Sequence, residues 1–216
     1  MINTNLKKRI FTSILLLAII FLIFSFNMIL TFSLIVFGVL SLLEFFNLTS
    51  KIFKKKIYSL FFNTFFVIYV SLYCFIFFLL ANFFEFKIML FTILLSCASS
   101  DIGGFVFGKL FKGPKLTNIS PNKTYAGSLG SIIFTILVFL GLTYYFTKDL
   151  DLTIIIIPII ISIACQIGDL FFSYLKRKAK LEDTGDILPG HGGLLDRIDG
   201  IFLGIPIGFI ALILFY

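Results

Sequence analysis

IFTSILLLAIIFLIFSFNMILTFSLIVFGVLSLL, residues 10–43, contains no charged side chain. An α-helix needs about 20 apolar residues to cross the hydrocarbon core of a bilayer, so this stretch is long enough for two membrane spans. We expect a tight pair of spans that turns near residues 25–27. The basic residues at 7–9 resemble the start of a secretory signal, but no small-residue cleavage site follows, so we expect a retained first span.

Further apolar runs follow this stretch, at approximately 57–80, 88–107, 128–147, 153–172 and 201–216. With 59% hydrophobic and 13% charged residues, the chain carries more apolar side chain than a water-soluble domain can bury. We therefore predict an all-α, polytopic helical membrane protein with about seven transmembrane helices and a cytoplasm-facing polar cavity. No internal repeat or soluble domain is visible, so residues 1–216 are expected to form a single membrane domain, with N-terminal spans in 1–97.

The basic residues alternate along the chain. All of the 18 Lys and Arg residues except Lys87 and Lys148 lie in four segments, 1–9, 51–56, 108–127 and 173–200. By the positive-inside rule these segments face the cytoplasm. We therefore expect a protein of the cell's inner (plasma) membrane, with its N-terminus in the cytoplasm and its C-terminus on the outer side. The formal charge of +7 therefore indicates topology anchors in contact with a lipid bilayer, and no nucleic-acid partner is expected.

Acidic residues stand at the ends of the later spans. Asp169 follows an uncharged run, and an ionised carboxylate at membrane depth costs several kcal/mol unless it pairs with a cation or binds a metal. Taken alone, it could equally be a helix-end residue in the headgroup region. Asp196 and Asp199 are three apart, so they share a face if that segment is helical. The three carboxylates could converge on magnesium, which carboxylate oxygens and substrate phosphates commonly bind together.

Phosphate-binding residue types follow Asp169. On a continuing helix Ser173, Lys176 and Arg177 project from its surface, and Lys and Arg are suitable phosphate donors. A Lys-Arg pair after a span is by itself an ordinary topology anchor. Beside the carboxylates we interpret the pair as a phosphate clamp.

Two loop motifs add further candidates. In PGHGG, residues 189–193, the glycines permit close backbone approaches and the amides could cradle an anion. His191 could act as a general acid or phosphate donor, or be a loop histidine bonded to backbone. In SPNKT, residues 120–124, Ser120 and Lys123 stand at the expected entrance of a span, which favours either an anion site or an ordinary capped helix start. Asp101 is a further carboxylate that could line the site.

These motifs together resemble the phosphatidate cytidylyltransferase family. The signature reads Ser-x-apolar-Lys-Arg, then Lys-Asp-x-small, then Pro-x-His-Gly-Gly-apolar-x-Asp-Arg-apolar-Asp. The matching residues are Ser173, Leu175, Lys176, Arg177, Asp183, Gly185, Leu188, Pro189, His191, Gly192, Gly193, Leu194, Asp196, Arg197, Ile198 and Asp199. Residues 101–104, Gly108 and 120–124 are similar to a second family region, so the family-like catalytic region covers about residues 98–205.

The chain departs from the family pattern at three positions. Tyr125 and Ala126 stand where the family commonly has tryptophan and glutamate, so the roles of those residues are not carried over. Glu182 replaces a lysine, and either it points to water or a nearby base such as Lys180 compensates for the lost phosphate contact.

The resemblance implies the transfer of the cytidylyl group of CTP to phosphatidate, with loss of pyrophosphate, to give CDP-diacylglycerol. It implies metal binding by Asp169, Asp196 and Asp199, with Mg²⁺ alone or together with a second cation. The resemblance assigns phosphate groups to Ser120, Lys123, Ser173, Lys176 and Arg177, and the nucleotide site to His191, Gly192, Gly193 and Arg197. A homodimer is an open alternative to a monomer.

Two other functions remain as alternatives. A CTP-dependent polyprenol or phytol kinase would share the motif logic but transfer the γ-phosphoryl group to an alcohol. A membrane transporter could also gather aspartates and basic residues at a cavity, but near mid-span, whereas here they cluster at the predicted cytoplasmic ends. The CDP-alcohol phosphotransferases are disfavoured because their Asp-Gly-x-x-Ala-Arg motif does not occur.

Overall fold

The computed structural model describes residues 20–117, 119–121, 123–149, 152–185 and 192–215. Within these ranges the regular structure is helical, apart from an isolated antiparallel bridge between Lys115 and Thr124. The long helices are α1 (Asn27–Ile52), α2 (Lys56–Ala81), α3 (Phe84–Phe111), α4 (Tyr125–Thr147), α5 (Ile156–Lys178) and α6 (Leu195–Phe215), and a short 3₁₀ helix, Leu152–Ile155, precedes α5.

All six of these helices are long and apolar enough to cross a membrane, which confirms the predicted all-α polytopic class. A helix break lies at the position of the expected turn, because residues 20–25 are helical and Phe26 then takes an extended backbone with φ −125° and ψ 113°. The tight pair of spans stays a prediction. Most of the expected first span, residues 10–19, lies outside the described residues. The described part therefore holds six of the roughly seven predicted spans.

Several helices extend past their predicted bounds through charged residues. Helix α1 continues past Leu43 to Ile52 and so contains Glu44, and α6 begins at Leu195 rather than at residue 201. A hydropathy pattern ends where charge begins, whereas the backbone hydrogen bonds of a helix do not depend on the polarity of its side chains. These extensions carry residues of the candidate site.

The chain forms two compact units, each built from two segments. The first unit comprises Met1–Lys87 and Leu175–Arg197, and the second comprises Ile88–Tyr174 and Ile198–Tyr216. The expectation of one membrane domain over residues 1–216, and of a catalytic region at 98–205, stays a prediction.

Aromatic and polar contacts join α1 to α2 in the first unit. The rings of Phe45 and Phe66 stack with centroids 3.9 Å apart, and the Thr49 hydroxyl donates to the Asn63 side chain at 2.6 Å. The ammonium group of Lys87 donates to the Asn27 side chain at 2.7 Å. Lys87 therefore lies at the end of α1 that is opposite Lys51, as the alternating charge pattern requires.

Glycines allow close helix packing in the second unit. A Cβ atom on Gly127 would lie 2.8 Å from the carbonyl oxygen of Gly104, and one on Gly103 would lie 2.7 Å from Phe134 Cβ, so α3 and α4 touch along their backbones. A Cβ on Gly168 would lie 2.6 Å from the carbonyl oxygen of Asp199, so α5 and α6 approach equally closely. Small residues at such crossings let membrane helices pack by van der Waals contact.

Candidate active site

Asp169 on α5 lies in a cluster with two predicted phosphate-binding residues. The ammonium group of Lys123 forms an ion pair with its carboxylate, and the Ser173 hydroxyl, one helical turn later, donates to it at 3.3 Å. Lys123 and Asp169 are partly exposed, with 25% and 31% of their side-chain surface accessible. The cluster therefore combines a carboxylate, a cation and a hydroxyl that a ligand could reach.

Backbone hydrogen bonds hold Lys123 in this position. The amide of Leu116 donates to the Lys123 carbonyl at 2.8 Å, and the Lys123 amide donates to the Ser120 carbonyl at 3.1 Å. Thr124 then caps α4, because its hydroxyl oxygen accepts from the amide of Gly127 at 3.1 Å. The predicted helix start at residues 120–124 is confirmed, and the half-buried Ser120 lies in its turn.

Asp199 lies beside the Asp169 segment. Since the backbone of Asp199 lies against Gly168, the residue before Asp169, the close crossing brings these two acidic positions onto neighbouring helix turns. Asp199 is 6% exposed, and its Oδ1 atom accepts from the amide of Gly200 at 2.8 Å. Two of the three predicted metal ligands thus belong to the same part of the second unit.

Helix α5 ends in a glycine-free version of a Schellman motif. The amide of Leu181 donates to the Lys176 carbonyl at 2.9 Å, and the amide of Lys180 donates to the Arg177 carbonyl at 3.1 Å. Lys180 takes the left-handed conformation that this motif needs, with φ 58°. The reversal turns the chain back towards α5 and carries Thr184 to the start of α6.

Asp196 is the anchor of the loop that enters α6. Its Oδ1 atom accepts from the Lys176 ammonium group at 2.6 Å. Its Oδ2 atom accepts from the amide of Thr184 at 2.8 Å and from the amide of Gly193 at 3.2 Å, and the Thr184 hydroxyl lies 3.0 Å away. Lys176, predicted to bind phosphate, and Asp196, predicted to bind metal, are therefore each other's partners in this structure.

Glu44 on α1 is a site residue that sequence reasoning missed. It is 4% exposed, and its carboxylate accepts from the amides of Leu194 and Leu195 at 2.9 and 2.8 Å and from the Thr184 hydroxyl at 2.7 Å. A sequence signal for Glu44 does exist, because it is the lone acidic residue in the apolar run LSLLEFFN, residues 40–47. An acidic side chain in such a run needs a specific partner to offset the cost of burying its charge.

The glycines of the motif make room for these carboxylates. A Cβ on Gly193 would lie 2.6 Å from Glu44 Oε2, and one on Gly192, where φ is 81°, would lie 3.1 Å from Asp183 Cγ. The close approaches predicted for these two glycines are confirmed. Among the amides of residues 189–193, which we expected to cradle an anion, that of Gly193 donates to the Asp196 carboxylate. The role of Gly192 and Gly193 in nucleotide binding stays a prediction.

Other predicted site residues are only partly described. Arg177, Arg197 and Glu182 are exposed, so the alternative in which Glu182 points to water fits the structure. His191 lies in residues 186–191, outside the described residues. Within the described ranges, no group of three or more His, Cys, Asp or Glu side chains could hold a metal ion by itself.

Comparison with known proteins identifies similar sequences. A family model described as the cytidylyltransferase family matches residues 6–215. A Rickettsia felis protein named phosphatidate cytidylyltransferase is 42% identical over 126 residues, which cover 54% of this chain and 55% of the relative. A protein of the same name from Staphylococcus haemolyticus is 40% identical over 116 residues, or 53% of this chain and 45% of the relative. The chain spans about half the length of the curated relatives it matches.

Proposed function

Because the chain belongs to the cytidylyltransferase family, we propose that it transfers the cytidylyl group of CTP to phosphatidate. A phosphate oxygen of phosphatidate attacks the α-phosphorus of CTP and forms a new P–O bond. The bond from the α-phosphorus to the bridging oxygen of the β-phosphate breaks, and pyrophosphate leaves. The lipid product is CDP-diacylglycerol, a precursor for phospholipid biosynthesis.

The observation that carries this proposal is the Lys123–Asp169–Ser173 cluster in a chain of this family. Transfer between phosphates needs positioning and charge neutralisation more than covalent chemistry by the protein. Lys123 supplies a positive charge that can move from Asp169 to an arriving phosphate, and Ser173 supplies a hydroxyl donor. Ser120 lies in the same turn as Lys123 and gives a second hydroxyl for the phosphate groups.

Asp169 and Asp199 are the residues that would hold a magnesium ion in this proposal. Magnesium is usually bound by one or two carboxylates together with water and substrate phosphates rather than by a cage of protein ligands. When bound, Mg²⁺ would neutralise charge on the phosphate oxygens of CTP and of the leaving pyrophosphate. Asp196, proposed as a third ligand, has its carboxylate already engaged by Lys176, Thr184 and Gly193.

We further propose that the protein lies in the bacterial inner membrane with the basic segments and the active site facing the cytoplasm. The support is the alternation of basic and nearly neutral segments between the six membrane-crossing helices. The cytoplasm also supplies CTP. A homodimer stays a prediction.

Incubating the protein in lipid nanodiscs with phosphatidate, MgCl₂ and CTP labelled at the α-phosphorus tests the activity. We expect label in CDP-diacylglycerol and an equal amount of pyrophosphate. Formation of CDP with a polyprenol or phytol acceptor would identify the kinase instead. Substrate movement across sealed vesicles without a nucleotide product would identify a transporter.

Asp169→Asn is the variant for this assay, with Asp149→Asn as its matched control. Both replacements remove one carboxylate at constant size, and Asp149 is an exposed residue after the end of α4. We expect loss of product with Asp169→Asn alone. Equal activity of the two variants would contradict the assigned role of Asp169.

A further inference from the structure

Glu44 is a buried acid without a role in the proposed chemistry. It lies inside α1 between apolar neighbours, and 4% of its surface is exposed. A carboxylate in such surroundings is costly unless hydrogen bonds replace its lost water. A carboxylate at this position in a membrane helix therefore requires a specific set of hydrogen-bond donors.

Both oxygens of the Glu44 carboxylate have such donors, and all of them come from residues 184–195. Oε1 accepts from the Leu194 amide at 2.9 Å, and Oε2 accepts from the Leu195 amide at 2.8 Å. The Thr184 hydroxyl lies 2.7 Å from Glu44 Oε2 and 3.0 Å from Asp196 Oδ2, so its single proton serves one carboxylate at a time. The Thr184 hydroxyl therefore lies between the two carboxylates and can donate to either.

The donors include the first amides of helix α6. Leu195 is the first residue of α6 and Leu194 precedes it, so their amides are among those that a helix leaves without an internal partner. A negative charge at this end of a helix is also favourable to the helix dipole. Glu44, which lies on α1, thus caps the start of α6 at the two residues that precede Asp196.

Two glycines lie so close to the Glu44 carboxylate that a Cβ atom on either would have little room. A Cβ on Gly185 would lie 3.0 Å from Glu44 Oε1, and one on Gly193 would lie 2.6 Å from Oε2. Gly185 and Gly193, on either side of residues 186–191, therefore both lie against Glu44. Within the described part of the first unit, the loop has two anchors, Glu44 and Asp196.

We propose that Glu44 is a positioning residue that fixes Thr184 and the first turn of α6, and so holds Asp196 and its partner Lys176 for the reaction. Glu44 touches no substrate in this assignment and acts through the backbone of residues 193–195. The effect on turnover rests on the proposed function, whereas the effect on the loop does not.

Hydrogen exchange of peptides covering residues 181–185 and 192–197, followed by mass spectrometry in nanodiscs, tests the positioning directly. Glu44→Gln keeps the size of the side chain but turns an amide donor towards backbone donors. We expect the amides of Leu194 and Leu195 to exchange at least about tenfold faster, with α2 unchanged. Glu85→Gln, at an exposed acid in the first turn of α3, is the matched control and leaves exchange as in the wild type.

Turnover gives a second readout. Glu44→Gln is expected to lower kcat by about tenfold to a hundredfold with the KM for phosphatidate unchanged, because a small displacement of a reacting group has effects of this size. Glu44→Asp, which keeps the negative charge on a shorter side chain, should fall between wild type and Glu44→Gln in both exchange and kcat. If the Gln variant does not fold, Thr184→Val removes one donor to Glu44 and should loosen the same two peptides.

The outcomes separate this inference from the proposed function. Wild-type exchange and kcat in a folded Glu44→Gln protein would overturn the positioning role. An inactive wild type whose loop still loosens in Glu44→Gln would refute the cytidylyltransferase activity and leave the anchoring by Glu44 supported.

Discussion

Lys176 and Asp196 form an ion pair of 2.6 Å whose side chains are 14% and 6% exposed, although they stand on different helices and twenty positions apart in the chain. The pair of Lys123 with Asp169 is more open, at 25% and 31%. Breaking a buried pair leaves an uncompensated charge, whereas an exposed pair contributes little to stability. The two pairs should therefore respond differently to the same substitution.

Lys176→Met is expected to lower the free energy of unfolding by about 3–5 kcal/mol, and Lys123→Met by about 1 kcal/mol or less. The measurement is thermal and denaturant unfolding of each variant in the same detergent. The double variant Lys176→Met with Asp196→Asn should recover part of the loss, because no buried charge then remains unpaired. Equal losses in the two single variants would show that burial does not distinguish these pairs.

Asp196→Asn and Asp169→Asn are both expected to lower kcat by about a hundredfold or more if each carboxylate serves the metal-dependent step. They should differ in stability, because Asp196 also accepts from Thr184 and Gly193. Activity over a range of Mg²⁺ concentrations and thermal unfolding should be measured on the same samples. Near-normal turnover in either variant would remove that residue from the site.

Gly130→Ala tests the glycine packing of α3 against α4. Its Cβ would lie 2.7 Å from the Gly103 carbonyl oxygen, whereas a Cβ on Gly141 of the same helix would meet nothing within 4 Å. Overpacking of this kind costs about 1–3 kcal/mol, so Gly130→Ala should lower the unfolding temperature in detergent. Gly141→Ala should leave it unchanged or raise it. A similar response of both variants would contradict the close crossing.

Single cysteines at Asn82 and Glu182 test the orientation in sealed vesicles. Both positions are exposed, whereas Thr184 is only 2% exposed and would be a poor labelling site. In a background where Cys74, Cys97 and Cys165 are replaced, we expect an impermeant probe on the cytoplasmic side to label position 182 and not position 82. The reverse pattern would mean that the topology is inverted.

Lys180 tests the compensation for Glu182. Lys180→Ala is expected to raise the KM for CTP and Glu182→Ala to change it little, because Lys180 could supply the missing positive charge. Lys180→Gly removes the same charge but relieves the left-handed backbone, which costs a side-chain-bearing residue about 1–2 kcal/mol. It should raise the KM for CTP as Lys180→Ala does, while increasing thermal stability. An unchanged KM in both variants would leave Lys180 with only its role in the turn.

Much of the candidate site could be read from the chain because its members are close in sequence. Asp169 and Ser173 are one helical turn apart, and the capped start of α4 at residues 120–124 depends on local backbone geometry. The pairing of Lys123 with Asp169 was not predicted, because it joins segments 46 positions apart and requires the packing of α4 and α5. Glu44 escaped notice for the same reason, since its donors lie at residues 184–195.

By itself the sequence determined the membrane class, the approximate spans and the motif residues, because helix length and hydrophobicity are local properties that bilayer thickness constrains. Only the tertiary structure decided which residues became ion-pair and hydrogen-bond partners. It paired Lys176 with Asp196 and extended α1 and α6 through charged residues. It also directed the amide of Leu194 to the Glu44 carboxylate and the amide of Gly193 to that of Asp196. The physical reason is that a buried charge or amide must find a partner wherever the fold supplies one, and contacts distant in sequence leave no periodic signal along the chain.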